Sequence, residues 1–115
     1  MDCPKIYKFF LIFTCLNSSL NQDTGWIQPN NAIPFYYRVL MGKVVYIRVN
    51  YINTTVPSGS LNITLPATYR PDVRIDFADG TNNSGYLQIE TSGAVTTGGI
   101  ASGQKYFKVD QCYLL

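Results

Sequence analysis

Residues 35 to 52, FYYRVLMGKVVYIRVNYI, constrain this chain more than any other stretch. They predict one long β-hairpin. An apolar arm, Phe35 to Leu40, runs into Met41-Gly42-Lys43, and a second arm, Val44 to Ile52, alternates. Val45, Ile47 and Val49 fall on one side; Tyr46, Arg48 and Asn50 fall on the other. A period of two marks a half-buried strand, because successive side chains leave a strand on opposite faces. Gly42 stands between the arms, where a tight turn needs a positive φ that glycine adopts at no steric cost. Val44, Val45, Tyr46, Ile47 and Val49 are all good strand formers. The shorter runs that follow read as strands that pair with this hairpin or pack on it.

Those runs are easily traced. Leu61, Ile63 and Leu65 alternate with Asn62 and Thr64. The stretch Pro66 to Pro71 then forces a turn, since neither proline can donate to a ladder. Val73, Ile75 and Phe77 alternate with Arg74 and Asp76, and the polar run Ala78 to Gly85 follows. Leu87 and Ile89 form the next strand, Ser92-Gly93 is a two-residue hairpin signal, and Ala94 to Thr97 returns. Gly98 to Gly103 is a loop, and Gln104 to Leu115 is the last strand, with Phe107 and Val109 on one face. No helical periodicity follows residue 21. The expected fold is all-β: a small antiparallel β-sandwich, jelly-roll-like, over residues 23–115. Its expected core is Val45, Ile47, Val49, Ile63, Ile75, Phe77, Leu87, Ile89, Phe107 and Val109. Asn21 to Pro34 reads as a linker-like lead-in, and its lone Trp26 as a core plug.

Residues 1–22 differ in character and form a separate, non-sheet segment. Lys5 and Lys8 precede the apolar run Phe9 to Leu16. Three readings fit: a secretory signal or anchor, an ordered helix or strand, or a segment not native to the domain, such as a mis-started reading frame. The apolar run is too short to span a bilayer as a helix, and no membrane insertion is expected of residues 23–115.

Composition removes several classes of function. There is no histidine, so neither a Ser-His-Asp nor a His-ligated zinc site can be built within this chain. A net charge of +2, with no run of basic residues, argues against nucleic acid. Three cysteines, Cys3, Cys15 and Cys112, cannot make a small-domain disulfide framework, and Cys112 reads as a buried free thiol. Of the seven carboxylates, Asp72, Asp76, Asp79 and Glu90 are candidates for glycosidase chemistry only in the sense that they exist. Most have a plainer explanation, such as the Asp79-Gly80 turn or an Arg74–Asp76 charge pair. Asp79, Asn82 and Asn83 could offer oxygens to calcium, but their spacing matches no dedicated loop. Four Asn-x-Ser/Thr triplets, at Asn17, Asn53, Asn62 and Asn82, are what chance supplies in a chain this rich in Asn and Ser. No enzyme activity, cofactor or metal is expected.

The positive signal is a polar, weakly charged surface with nine tyrosines. Tyrosine offers a flat apolar face and loses little side-chain entropy on binding; Asn, Ser and Gly offer adaptable hydrogen bonds. Such a surface suits a saccharide or a partner protein. The candidate ligand-binding residues are Tyr69 and Arg70, between the two prolines, with Asp79, Asn82, Asn83 and Tyr86 around the polar turn. The competing account is structural: Tyr69-Arg70 pack the Pro-flanked turn, and Asp79 to Gly85 are a turn and nothing more.

Several longer strings go further. They are Gly25-Trp26-Ile27; Tyr37-Arg38 leading through Gly42 to Val44-Val45-Tyr46-Ile47-Arg48; Leu65-Pro66-Ala67-Thr68-Tyr69-Arg70-Pro71; and Leu87-Gln88-Ile89 running into Ser92-Gly93-Ala94-Val95. In these, residues 23–115 resemble the C-terminal head domain of bacteriophage and prophage tail-fibre or baseplate receptor-binding proteins. That family often carries Gly where this chain has Thr68, and Gly near Val49. The resemblance implies a β-sandwich head that assembles as a homotrimer at the virion tail tip. It implies non-catalytic recognition of a host cell-surface saccharide. Two alternatives stay open: a secreted or cell-surface bacterial lectin or adhesin module, and a structural tail module that only closes a trimer.

Overall fold

The computed structural model describes residues 23–115 except Asn82. The N-terminal segment, with its three readings, lies outside the described residues. Seven strands build the domain: β1 (Phe35–Leu40), β2 (Val44–Tyr51), β3 (Gly59–Thr64), β4 (Ile75–Ala78), β5 (Tyr86–Ile89), β6 (Ala94–Gly98) and β7 (Phe107–Leu114). Every pairing is antiparallel. One sheet has the order β1-β2-β7 and the other β3-β6-β5-β4. The second is a Greek key: β4, β5 and β6 form a meander, and β3 lies against β6 on the far side. A single turn of 3-10 helix, Ala67–Tyr69, joins β3 towards β4.

The hairpin forms as its sequence dictates. β1 and β2 pair from Phe35↔Val49 to Leu40↔Val44. The Lys43 N–H closes the turn onto the Leu40 carbonyl at 2.9 Å. Met41 (φ 54°) and Gly42 (φ 61°) both take the left-handed conformation, so this turn twists with the strands it joins.

One core lies between the sheets. Val45, Ile47, Val49 and Tyr51 of β2, with Phe107, Val109 and Tyr113 of β7, face Leu61, Ile63, Phe77, Leu87, Ile89 and Val95 of the other sheet. All ten expected core residues contribute, although Ile75 is only half-buried. Val73, expected to share its face, is 69% exposed and precedes β4. The β4–β5 ladder opens at Ile75↔Ile89, and beyond Ile89 the partner chain turns away at Glu90 to Gly93, so Val73 has no strand to lie against.

Two buried polar groups are handled differently. Gln104, 8% exposed, is fully used: its Nε2 donates to the Ser84 and Tyr106 carbonyls at 2.8 and 2.9 Å, and its Oε1 accepts from Ala101 N–H at 3.0 Å. It thereby ties the loop before β7 to the turn before β5. The Tyr51 hydroxyl, by contrast, is buried with no hydrogen-bond partner among the described residues. A buried unmade hydrogen bond costs about 1–3 kcal/mol. Tyr51→Phe is therefore expected to raise stability by about 1 kcal/mol, measured as a higher urea midpoint with an unchanged slope.

The lead-in is more than a linker. Asp23 and Ile27 bridge to Leu40 and Tyr37 along the free edge of β1. Thr24 and Ile27 donate to the Val39 and Tyr37 carbonyls at 3.1 and 2.8 Å, and Tyr37 donates back to Ile27 at 3.0 Å. Between the bridges the lead-in spans one more residue than β1 does, and Gly25, at φ 68°, absorbs the extra one. An otherwise open edge is thus covered.

Candidate functional site

The residues nominated from the sequence fall at two ends of β7. At one end, the Tyr113 hydroxyl donates to the Tyr69 carbonyl. Burial, and the neighbouring Tyr37, push the Tyr113 phenol well above the ordinary tyrosine range. The Tyr69 ring tilts against Tyr37 with 6.1 Å between centroids. Arg70 Nε donates to the Leu65 carbonyl at 2.9 Å, closing the Pro-flanked turn on itself. At the other end, Asp79 Oδ1 accepts from the N–H groups of Thr81 (2.9 Å) and Lys108 (3.0 Å), and Oδ2 from the Thr81 hydroxyl at 2.7 Å. Asn83 donates to that hydroxyl at 2.9 Å. Asn82 lies outside the described residues. Tyr86 is 38% exposed and lies over its cross-strand partner Gly98: a Cβ there would sit 2.3 Å from the ring.

The Tyr69-Arg70 pair and the Asp79–Tyr86 group are therefore not one constellation. From Lys108 to Tyr113 a strand advances roughly 17 Å. Arg70 and Asp79 direct polar side-chain atoms to their own backbone surroundings, and the Tyr69 carbonyl is taken by the Tyr113 hydroxyl. Among the described nominees only Asn83 and Tyr86 are exposed.

A different group of side chains does converge. On the outer face of the β1-β2-β7 sheet the register sets Tyr36 against Arg48, Arg38 against Tyr46, Arg48 against Asp110, and Asn50 against Lys108. Trp26 joins them from the lead-in. Ile27 takes the inward position, packing against the core, and sends Trp26 outward. The expected core plug is thus 37% exposed, on the wrong side of the sheet for a plug. The Arg48 guanidinium lies 4.4 Å over its ring, Arg38 lies at 5.9 Å, and Tyr46 meets it edge-on at 5.5 Å and 77°. Cation–π contacts at exposed sites contribute about 0.5–1 kcal/mol, enough to favour one Arg48 rotamer.

Tyr46 was expected to face outward and does, yet only 7% of it is exposed. It belongs to a small second cluster with Leu40, Val44 and Cys112. Cys112 is disulfide-bonded, which overturns the free-thiol expectation. It stands on the outer face opposite Tyr46 rather than among the residues between the sheets. Cys3 and Cys15 lie outside the described residues.

Asp23 anchors the near edge of this face. Arg38 grips both of its oxygens, Nε on Oδ1 at 2.8 Å and Nη2 on Oδ2. Hydrogen bonding to Arg38 holds the Asp23 carboxyl below its usual range despite partial burial. Two shallow depressions adjoin here. One, of about 330 Å³, is lined by Trp26, Tyr36, Arg48 and Asn50. The other, of about 350 Å³, shares Tyr36 and Asn50 and continues to Gln28, Pro34 and Ile52. A flat ring, a phenol, an amide and a guanidinium on one rigid sheet can bind and orient a polar ligand. Among the described residues no three or more of His, Cys, Asp or Glu gather to hold a metal. No described helix is long and apolar enough to cross a membrane.

This face was only half-legible. Tyr36, Arg48 and Asn50 follow from the alternation. Adjacent Trp26 and Ile27 cannot both face inward, and that was the available clue. No protein-family model matches the chain, and no curated protein sequence matches it.

Proposed function

We propose that this domain is a saccharide-recognition head of the phage tail-fibre type that its sequence resembles. The observation that carries the reading is the exposed Trp26 ring, set beside Tyr36, Arg48 and Asn50 over a concave part of a rigid sheet. Aromatic faces take the apolar side of a sugar ring, and a few directed polar groups fix its orientation. The binding surface then lies on the sheet face rather than in the turns around Tyr69 and Asp79. A homotrimer at the tail tip, as the resemblance implies, would multiply weak single sites through avidity.

A glycan array of bacterial surface saccharides, followed by calorimetric titration of the hits, tests this on the full-length chain. Dissociation constants of about micromolar to millimolar are expected for one head, independent of calcium. Trp26→Ala should weaken binding tenfold or more, whereas Asn83→Ala should leave it within about twofold. Loss of binding in Asn83→Ala with retention in Trp26→Ala would return the site to the polar turn. Absence of binding to any saccharide would leave the reading of a structural, trimer-closing module.

A further inference from the structure

We infer that the saccharide bound here carries an oxyanion, a carboxylate or a phosphate, and that Arg48 receives it. This rests on the saccharide reading above and narrows it. The two outer-face arginines are in different states. Arg38 is committed, both sides of its fork engaged by Asp23. The Arg48 side chain makes no hydrogen bond among the described residues: Asp110 comes no nearer than 3.7 Å, and then to Nε, the inner nitrogen. Arg48 is one of the four residues that line the depression beside Trp26. Its side chain is 45% exposed, yet the guanidinium is stacked 4.4 Å over Trp26.

A planar fork held in place by an aromatic face is preorganised for two oxygens of one anion. Tyr36 and Asn50 line the same hollow, and neither side chain hydrogen-bonds within the described protein. Both are neutral groups that suit sugar hydroxyls. Lys108, across the ladder from Asn50, adds a second positive charge to this face. Among the described residues Asp110 is the one nearby carboxylate with a claim on Arg48, and its distance makes it a competitor for the incoming anion.

The test is an array carrying neutral, uronate-bearing and phosphate-bearing oligosaccharides, with hits titrated against the full-length protein at low and high salt. Acidic glycans should bind at least tenfold better than their neutral counterparts, and that margin should shrink as salt screens the charges. Which acidic class is retained separates a uronate from a phosphate. Arg48→Gln should remove the margin, Arg48→Lys should keep only part of it, and Asp110→Asn should widen it severalfold. The Asp110→Asn arm stands even if Arg48→Gln disturbs the Trp26 stack. Equal binding of neutral and acidic glycans, or no change in the margin in Asp110→Asn and Arg48→Gln, overturns the oxyanion inference and leaves saccharide recognition standing. No binding to any of the three classes overturns both.

Discussion

Phe107→Ala is expected to lower the unfolding free energy by about 3–5 kcal/mol, the range for removing a fully buried aromatic ring. Phe107 is 0% exposed and opens β7, paired with Tyr51 at the end of the β2 ladder. Its ring also reaches the other sheet: Cε1 lies 3.4 Å from where a Gly85 Cβ would stand, just ahead of β5. The side chain thus closes one end of the sandwich from both sides, and backbone hydrogen bonds on each flank resist collapse into the space it leaves. Domains of this size are stable by about 5–15 kcal/mol, so the loss is a large share of the total. Urea unfolding of the full-length protein, followed by Trp26 fluorescence, reads it as a lowered midpoint. A cost below about 1 kcal/mol would mean that β7 does not present this face to the core.

Gly93→Ala should cost about 3 kcal/mol, for two reasons that can be separated. Gly93 sits at φ 86°, where an L side chain is strained. A Cβ there would also lie 2.7 Å from the Leu65 carbonyl oxygen and 2.7 Å from Arg70 Nε. That carbonyl cannot easily retreat: it accepts Arg70 Nε, while the Leu65 N–H donates to the Gly93 carbonyl at 2.9 Å. Gly42 provides the control. It shares the positive φ, at 61°, but nothing lies within 4 Å of its missing Cβ. Gly42→Ala should therefore cost only the conformational part, about 1–2 kcal/mol. Equal losses at the two positions would show that the β3–β6 corner yields and that the close approach carries no energy.

The hairpin was legible because everything that specifies it is local: alternation, strand formers and one glycine. The inner faces of β4 and β5 follow for the same reason. Trp26 was misread because its side of the sheet depends on one extra residue absorbed at Gly25, and a slip of one residue reverses a strand's faces. Tyr46 was assigned the correct face and the wrong environment, since Leu40, Val44 and Cys112 bury it from outside the core. Tyr69-Arg70 and Asp79 carry genuine turn chemistry, and local sequence says nothing of the strand length that separates them. Strand order was the least accessible feature. That β7 lies beside β2, and β3 beside β6, is decided by contacts between distant residues, for which no single stretch carries a signal.

The β2–β7 ladder ties Val44 to Leu114 and Tyr51 to Phe107. During synthesis, β2 emerges with one neighbour in place and the other not yet translated. Its inner face, Val45, Ile47 and Val49, has no opposing sheet at that moment, and its open side is a row of unpaired backbone groups. Pairing across so long a stretch of chain is slow, and an apolar strand that waits for its partner is exposed to other chains in the same condition. The first sheet is therefore expected to complete only once β7 is available to pair with β2. A nascent chain stalled before Phe107 should be protease-sensitive along its length, including a hairpin that every local rule favours.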